Sequence, residues 1–134
     1  MTFYQTEINR IKNICFKNDM QIKTVIATRN FINNNFYKDL NLELLSQIHF
    51  VSKYHLLRLF KKYYGLTPRQ YLMDKRIEKS KENLINGMSV TETCFAIGFQ
   101  RLGSFSTLFK TKTGKSPSAF QKEQLSIRKL DSKF

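Results

Sequence analysis

Phe60-Lys61-Lys62-Tyr63-Tyr64-Gly65-Leu66-Thr67-Pro68 returns, 49 residues later, as Phe109-Lys110-Thr111-Lys112-Thr113-Gly114-Lys115-Ser116-Pro117. Each stretch reads as the end of a helix. Basic residues sit in the last turn, a glycine stands where a left-handed cap is wanted, and a proline follows where a new helix can begin. The correspondence extends through both copies. Asn41-Leu42 maps onto Ser89-Val90 and Leu45-Ser46 onto Thr93-Cys94 at an offset of 48, then Phe50 onto Phe99, Leu56 onto Phe105 and Tyr71 onto Phe120 at 49. One extra residue, placed in a turn, is what a duplicated helix-turn-helix tolerates.

The rest of the 134-residue chain agrees with an all-α reading, because five Gly and two Pro interrupt mostly three-four apolar spacing. Helices are expected over about Phe3 to Phe16 and Ile22 to Asn35, then from the N-caps Asn41 and Ser52. Others follow over Pro68 to Asn86, from a Ser89–Glu92 capping box, and over Arg101 to Thr111, before a tail of short helix or coil. The fold class expected is all-α and bilobal, about seven helices, with two helix-turn-helix subdomains joined by a long linker helix. Its parts are an N-terminal helical extension (1–23), a first helix-turn-helix subdomain (24–67), the linker helix (68–87), a second subdomain (88–121) and a basic C-terminal tail (122–134). The N-terminal helix is expected to pack on the second as part of the first lobe, with a partner or dimer role as the alternative. Cys15 and Cys94 read as packing residues.

Charge narrows the function. The chain carries 23 Lys and Arg against 10 Asp and Glu, a net +13. Residues 52–81 hold nine basic and two acidic side chains and 99–134 hold eight and two, whereas 82–98 hold none and two. Two basic blocks flank an acidic spacer, so a polyanion is the expected partner and nucleic acid the commonest one. Each second helix of the repeat must bury one face and present the other. In the first copy Leu56, Leu59, Phe60 and Tyr63 form the inward stripe, leaving Tyr54, Leu57, Arg58 and Lys61 outward, with Ser52 and Lys53 at the helix start. In the second copy Phe105, Leu108 and Phe109 point inward, and Gly103, Ser104, Ser106, Thr107 and Lys110 outward. Arg58 among apolar neighbours suits base reading in a major groove, whereas Arg101, Lys110, Lys112 and Lys115 suit phosphate.

Chemistry elsewhere is sparse. His49 and His55 lack Cys, Asp or Glu at ligand or relay spacing, and two distant cysteines make neither a zinc site nor a disulfide framework. No enzyme activity, cofactor or metal is expected. There is no run of 18 apolar residues and no signal-like N-terminus, so a cytoplasmic protein without membrane association is expected.

The pattern Leu45-Ser46, Ser52 to Lys61, Gly65-Leu66-Thr67-Pro68, Arg76-Ile77, Ser89 to Glu92, Gly98-Phe99, Ser104-Phe105 and Gly114-Lys115-Ser116-Pro117 resembles the DNA-binding domain of the AraC/XylS family of bacterial transcriptional regulators. The likeness covers roughly residues 24–121. It implies double-stranded promoter DNA as partner, RNA polymerase as a further candidate, a first recognition helix that dominates specificity, and activation as the sign of regulation. The chain has no room for the small-molecule sensor domain that many members carry, so a stand-alone member, or a truncated reading of a longer gene, is expected. Ser46, Ser80, Thr93-Cys94 and Gln121 depart from the family pattern, the last standing where an arginine is usual. The alternative is an architectural or nucleoid-associated protein that coats DNA with little sequence preference.

Overall fold

A computed structural model of the chain describes residues 2–131 and contains seven helices and no strand among them. These are α1 (Phe3–Asn35), α2 (Leu42–Ile48), α3 (Lys53–Tyr64), α4 (Pro68–Ile85), α5 (Val90–Ala96), α6 (Leu102–Thr113) and α7 (Pro117–Asp131). Residues 132–134 of the expected basic tail lie outside the described residues.

The caps are largely those the sequence requires. Asn41 Oδ1 accepts from the Leu44 amide at 2.7 Å, Ser52 Oγ from His55 at 3.1 Å, and Ser89 Oγ from Glu92 at 3.1 Å. Gly65 and Gly114 close α3 and α6 in the left-handed conformation. The expected Ser89–Glu92 box is only half made, since among the described residues the Glu92 carboxylate does not return the bond. A complete box instead opens α4, where Thr67 Oγ1 accepts from the Gln70 amide and Gln70 Oε1 from the Thr67 amide.

Three expectations need correction. The first two helices are one, a single 33-residue α1, because Lys17 to Gln21 contains no glycine or proline to break it. Its N-terminal part does not pack back on the first lobe: from Thr2 to Met20 every residue but Glu7 is exposed, Cys15 included. The tail from Gln121, expected as short helix or coil, is helical through Asp131 and belongs to a 15-residue helix that begins earlier, at Pro117.

The chain divides into two compact units. One comprises the chain up to Asn34 with Leu40–Gln70, and the other Asn35–Asp39 with the chain from Tyr71 onward. In the first unit Val25, Thr28, Ile32, Leu40, Leu45, Leu56, Leu59 and Phe60 are buried. Tyr64 stacks on Phe60 at 5.0 Å, and its hydroxyl oxygen accepts from Arg29 Nη1 at 2.7 Å. Tyr63, expected in the inward stripe, is 37% exposed and reaches Gln21 with its hydroxyl. Tyr64 takes the packing position because it follows Phe60 by one full turn.

The second unit has its core in Ile77, Leu84, Cys94, Ile97, Phe105 and Phe109, with Phe36, Phe99 and Phe120 packed against it. Phe105, Phe109 and Phe120 form a chain of edge contacts at 5.7 and 5.4 Å. Arg76 is buried here, and its guanidinium donates to the carbonyls of Phe36 and Lys38, both at 2.8 Å, while lying 5.4 Å from the Phe99 ring. A cation so enclosed needs such partners, since an unpaired one would be expelled.

Candidate nucleic-acid interface

The two helix-turn-helix units repeat with a fixed geometry. α2 and α5 each have seven residues and start 48 apart; α3 and α6 each have twelve and start 49 apart. The turn shows where the extra residue enters. Phe50 donates to Gln47 O and Val51 to Ser46 O, just as Gly98 donates to Phe95 O and Phe99 to Cys94 O. Phe50 therefore corresponds to Gly98, not to Phe99 as the side chains suggest, and the insertion follows Phe99. Both equivalent residues have positive φ, +55° at Phe50 and +99° at Gly98. Ser46 and Cys94, the small residues of α2 and α5, are buried as close helix packing requires.

On α3 the outward face is Lys53, Tyr54, Arg58 and Lys61, all exposed, with Leu57 half-buried between them. The Lys53 ammonium lies 5.4 Å from the Tyr54 ring centroid. Among the described residues neither Arg58 nor Lys61 forms an ion pair. Ser52 spends its acceptor on the helix cap, but its hydroxyl hydrogen is free to point outward. Leu56, Leu59 and Phe60 hold the opposite face in the core. One helix thus shows a basic, partly apolar edge to solvent from a rigid support.

On α6 Gly103, Ser104, Thr107 and Lys110 are exposed and Ser106 is half-buried, while Phe105 and Phe109 anchor the helix. Arg101 is its exposed N-cap residue and supplies no side-chain cap, so the first amides of α6 are left for an outside acceptor. A Cβ at Gly103 would meet nothing within 4 Å, so the backbone there is open to close approach. Lys112 and Lys115 differ from the other cations. Lys112 pairs with Asp74 at 2.9 Å and Lys115 pairs with Glu123. These are exposed pairs worth about 0–1 kcal/mol each, so they occupy the ammonium groups without committing them.

Arg76 and Gln121 are the structural residues whose roles the spacing alone does not disclose. Gln121 Nε2 donates to the carbonyls of Leu84 at 3.1 Å and Met88 at 2.7 Å, closing the end of α4. It points inward, toward that carbonyl pair. Arg76 lies on the apolar side of α4 with Leu72, Ile77 and Ser80, all buried, and a lone charge at that position of the helix is the signal that marks it.

No metal-binding cluster of three or more His, Cys, Asp or Glu exists among the described residues, and no described helix is long and apolar enough to cross a membrane. Burial lowers the His49 pKa and raises that of Cys94.

A helix-turn-helix domain family matches residues 45–123. The chain is 36% identical over 92 residues to the bifunctional transcriptional activator/DNA repair enzyme AdaA of Bacillus subtilis, a match covering 68% of this chain and 44% of that protein. It spans about half the length of the curated relatives it matches. Among solved structures it resembles the C-terminal domain of AraT, a response regulator from Geobacillus stearothermophilus, with a TM-score of 0.73 and 29% identity over 75% of this chain and 84% of that one. The DNA-binding domain of the global transcriptional factor AdpA, solved with a target DNA, shares the fold at a TM-score of 0.74 and 21% identity, covering 78% and 95% of the two chains.

Proposed function

Because the chain belongs to the AraC-type helix-turn-helix family of transcription regulators, we propose that it binds promoter DNA sequence-specifically, reading bases with α3 and holding backbone phosphate with α6. The observation that carries this is the contrast between two geometrically equivalent helices. α3 offers Arg58 flanked by Tyr54 and Leu57, whereas α6 offers Gly103, Ser104, Ser106 and Thr107 between Arg101 and Lys110. An arginine can bond guanine O6 and N7 together, and leucine or tyrosine can cover a thymine methyl. Small hydroxyl residues and a bare helix start suit phosphate instead. Ser52, Lys53 and Lys61 extend the α3 contact, and Lys112 joins the α6 contact once phosphate displaces Asp74. Activation, with RNA polymerase as the protein partner, is the direction of regulation we favour, on the strength of the family.

Selection of bound duplexes from a random pool, at near-physiological salt, tests the reading. The outcome expected is an enriched motif with one sharp half that Arg58→Ala erases at one or two base positions, at a cost of about 1–3 kcal/mol there. Lys110→Ala should weaken all duplexes alike and lower the salt slope by about one. A pool that is retained strongly but never enriched would instead indicate an architectural protein bound through phosphate alone.

A further inference from the structure

The N-terminal part of α1 carries an apolar stripe that the chain itself leaves uncovered. Tyr4, Ile8, Ile11, Cys15 and Ile22 succeed one another at intervals of four, three, four and seven residues, and all are exposed. The seven-residue step passes over Asn18, so Tyr4, Ile8, Ile11, Cys15, Asn18 and Ile22 occupy six consecutive core positions of a heptad repeat. The next such position, Val25, is buried within the first unit, which ends the stripe there. From Tyr4 to Ile22 the helix runs about 27 Å at 1.5 Å per residue.

Such a segment does not hold itself helical. It is rich in isoleucine and asparagine, which are weaker helix formers than alanine or leucine, and up to Cys15 every described residue but Glu7 is exposed. Only beyond that do Phe16 and Met20 border His55 and Leu59, and does Gln21 accept from the Tyr63 hydroxyl. Its local support is slight: the Thr2 hydroxyl accepts from the Gln5 amide, the Thr6 hydroxyl donates to the Thr2 carbonyl, and an exposed Arg10–Glu7 pair closes at 3.2 Å.

We infer that this stripe is the seam between two copies of the chain, which pair through α1 as a parallel two-stranded coiled coil. Three features favour a second copy over another occupant. The spacing is that of a self-complementary interface, in which each residue meets its own counterpart across a two-fold axis. Glu7 and Lys12 flank the stripe five residues apart, at positions that face each other across parallel strands, and their charges are opposite. Asn18 is the single polar residue of the seam, and in register its amide meets its twin's rather than an apolar side chain, which favours that alignment over a shifted one. The inference stands apart from the reading of α3 and α6, because it uses none of their residues.

Sedimentation equilibrium of the 134-residue chain at about 50 μM tests it, since association is set by mass action. The expected result is a dimer, cross-linked in high yield by a short bismaleimide joining Cys15 to Cys15 of the second copy, Cys94 being buried. Ile11→Asp should weaken the dimer by about a hundredfold or more, because a charge at the seam would be buried unpaired. Asn13→Asp, on the opposite side of α1, should leave it intact. Because Ile11 is exposed in the single chain, far-UV circular dichroism of the variant should retain the helices of both units while losing signal from the first 20 residues. A monomeric wild-type chain, or a dimer indifferent to Ile11→Asp, would overturn the inference. A dimer without Cys15 cross-linking would overturn the parallel arrangement.

Discussion

At the scale of single residues, the two turns illustrate how one backbone conformation is met by different side chains. Gly98 needs its hydrogen: a Cβ there would come within 2.8 Å of Tyr37 O and 2.9 Å of the Arg76 guanidinium, at a φ of +99°. Gly98→Ala should destabilise the protein by about 2 kcal/mol or more, from the clash and the left-handed backbone together. Phe50 holds the equivalent position at φ +55° while 94% exposed, so its ring earns no burial in the single chain. Phe50→Gly should therefore stabilise by up to about 1 kcal/mol, the relief of left-handed strain exceeding the added chain entropy. Thermal melts of the two variants should move in opposite directions. His49 makes a pH argument. Its Nε2 is buried without a partner and its ring meets Phe31 edge-on at 6.2 Å. Burial holds its pKa below the usual 6.5, so the unfolded chain takes up the proton first as pH falls. Its contribution is intact above pH 6.5 and is lost as the pH drops through the folded value. His49→Leu should flatten that part of the stability–pH curve.

At the scale of elements, most helix ends were legible because they are written in local chemistry. Asn41, Ser52, Ser89, Gly65 and Gly114 act where their residue types demand. Two further features are written locally but compete with neighbours of the same kind: Tyr64 rather than Tyr63 lies one turn after Phe60, and Thr67-Pro68-Arg69-Gln70 has the spacing of a capping box across a proline. The interruption expected between Phe16 and Ile22 contains no Gly or Pro, and polar residues alone do not stop a helix. The side chains of the outward faces were legible by period, but not the pairing of Lys112 with Asp74. The box at α4 yields a prediction. Thr67→Ala removes the acceptor for the Gln70 amide and should cost about 1 kcal/mol, whereas Arg69→Ala, exposed beside it, should cost little. Urea midpoints at unchanged slope would separate the two.

At the scale of the whole molecule, a net charge of +13 dominates behaviour in solution. Like charges repel in the folded chain, and duplex DNA relieves that repulsion by exchanging its condensed cations for Lys and Arg. With about six phosphate contacts from the two helix-turn-helix units, affinity for any duplex should fall by about a thousandfold between 50 and 200 mM salt. A slope that stayed shallow in that titration would mean that few of these cations meet phosphate. The double repeat was readable from the sequence because each unit reuses the same caps and core positions. The extra residue of the second turn was readable only approximately, since Phe50 and Phe99 look alike and only the backbone bonds tell them apart.

The burial of Cys94 has a practical consequence. Its thiol sits in the second unit's core with no exposed surface, and burial raises its pKa, so a maleimide reaches it only when that unit opens. In a Cys15→Ser chain every labelling event would then count one excursion of the second unit. The protein carries its own clock for local unfolding, readable by mass spectrometry with no cysteine introduced, and comparing its rate with and without bound duplex would show how far DNA stills that half of the molecule.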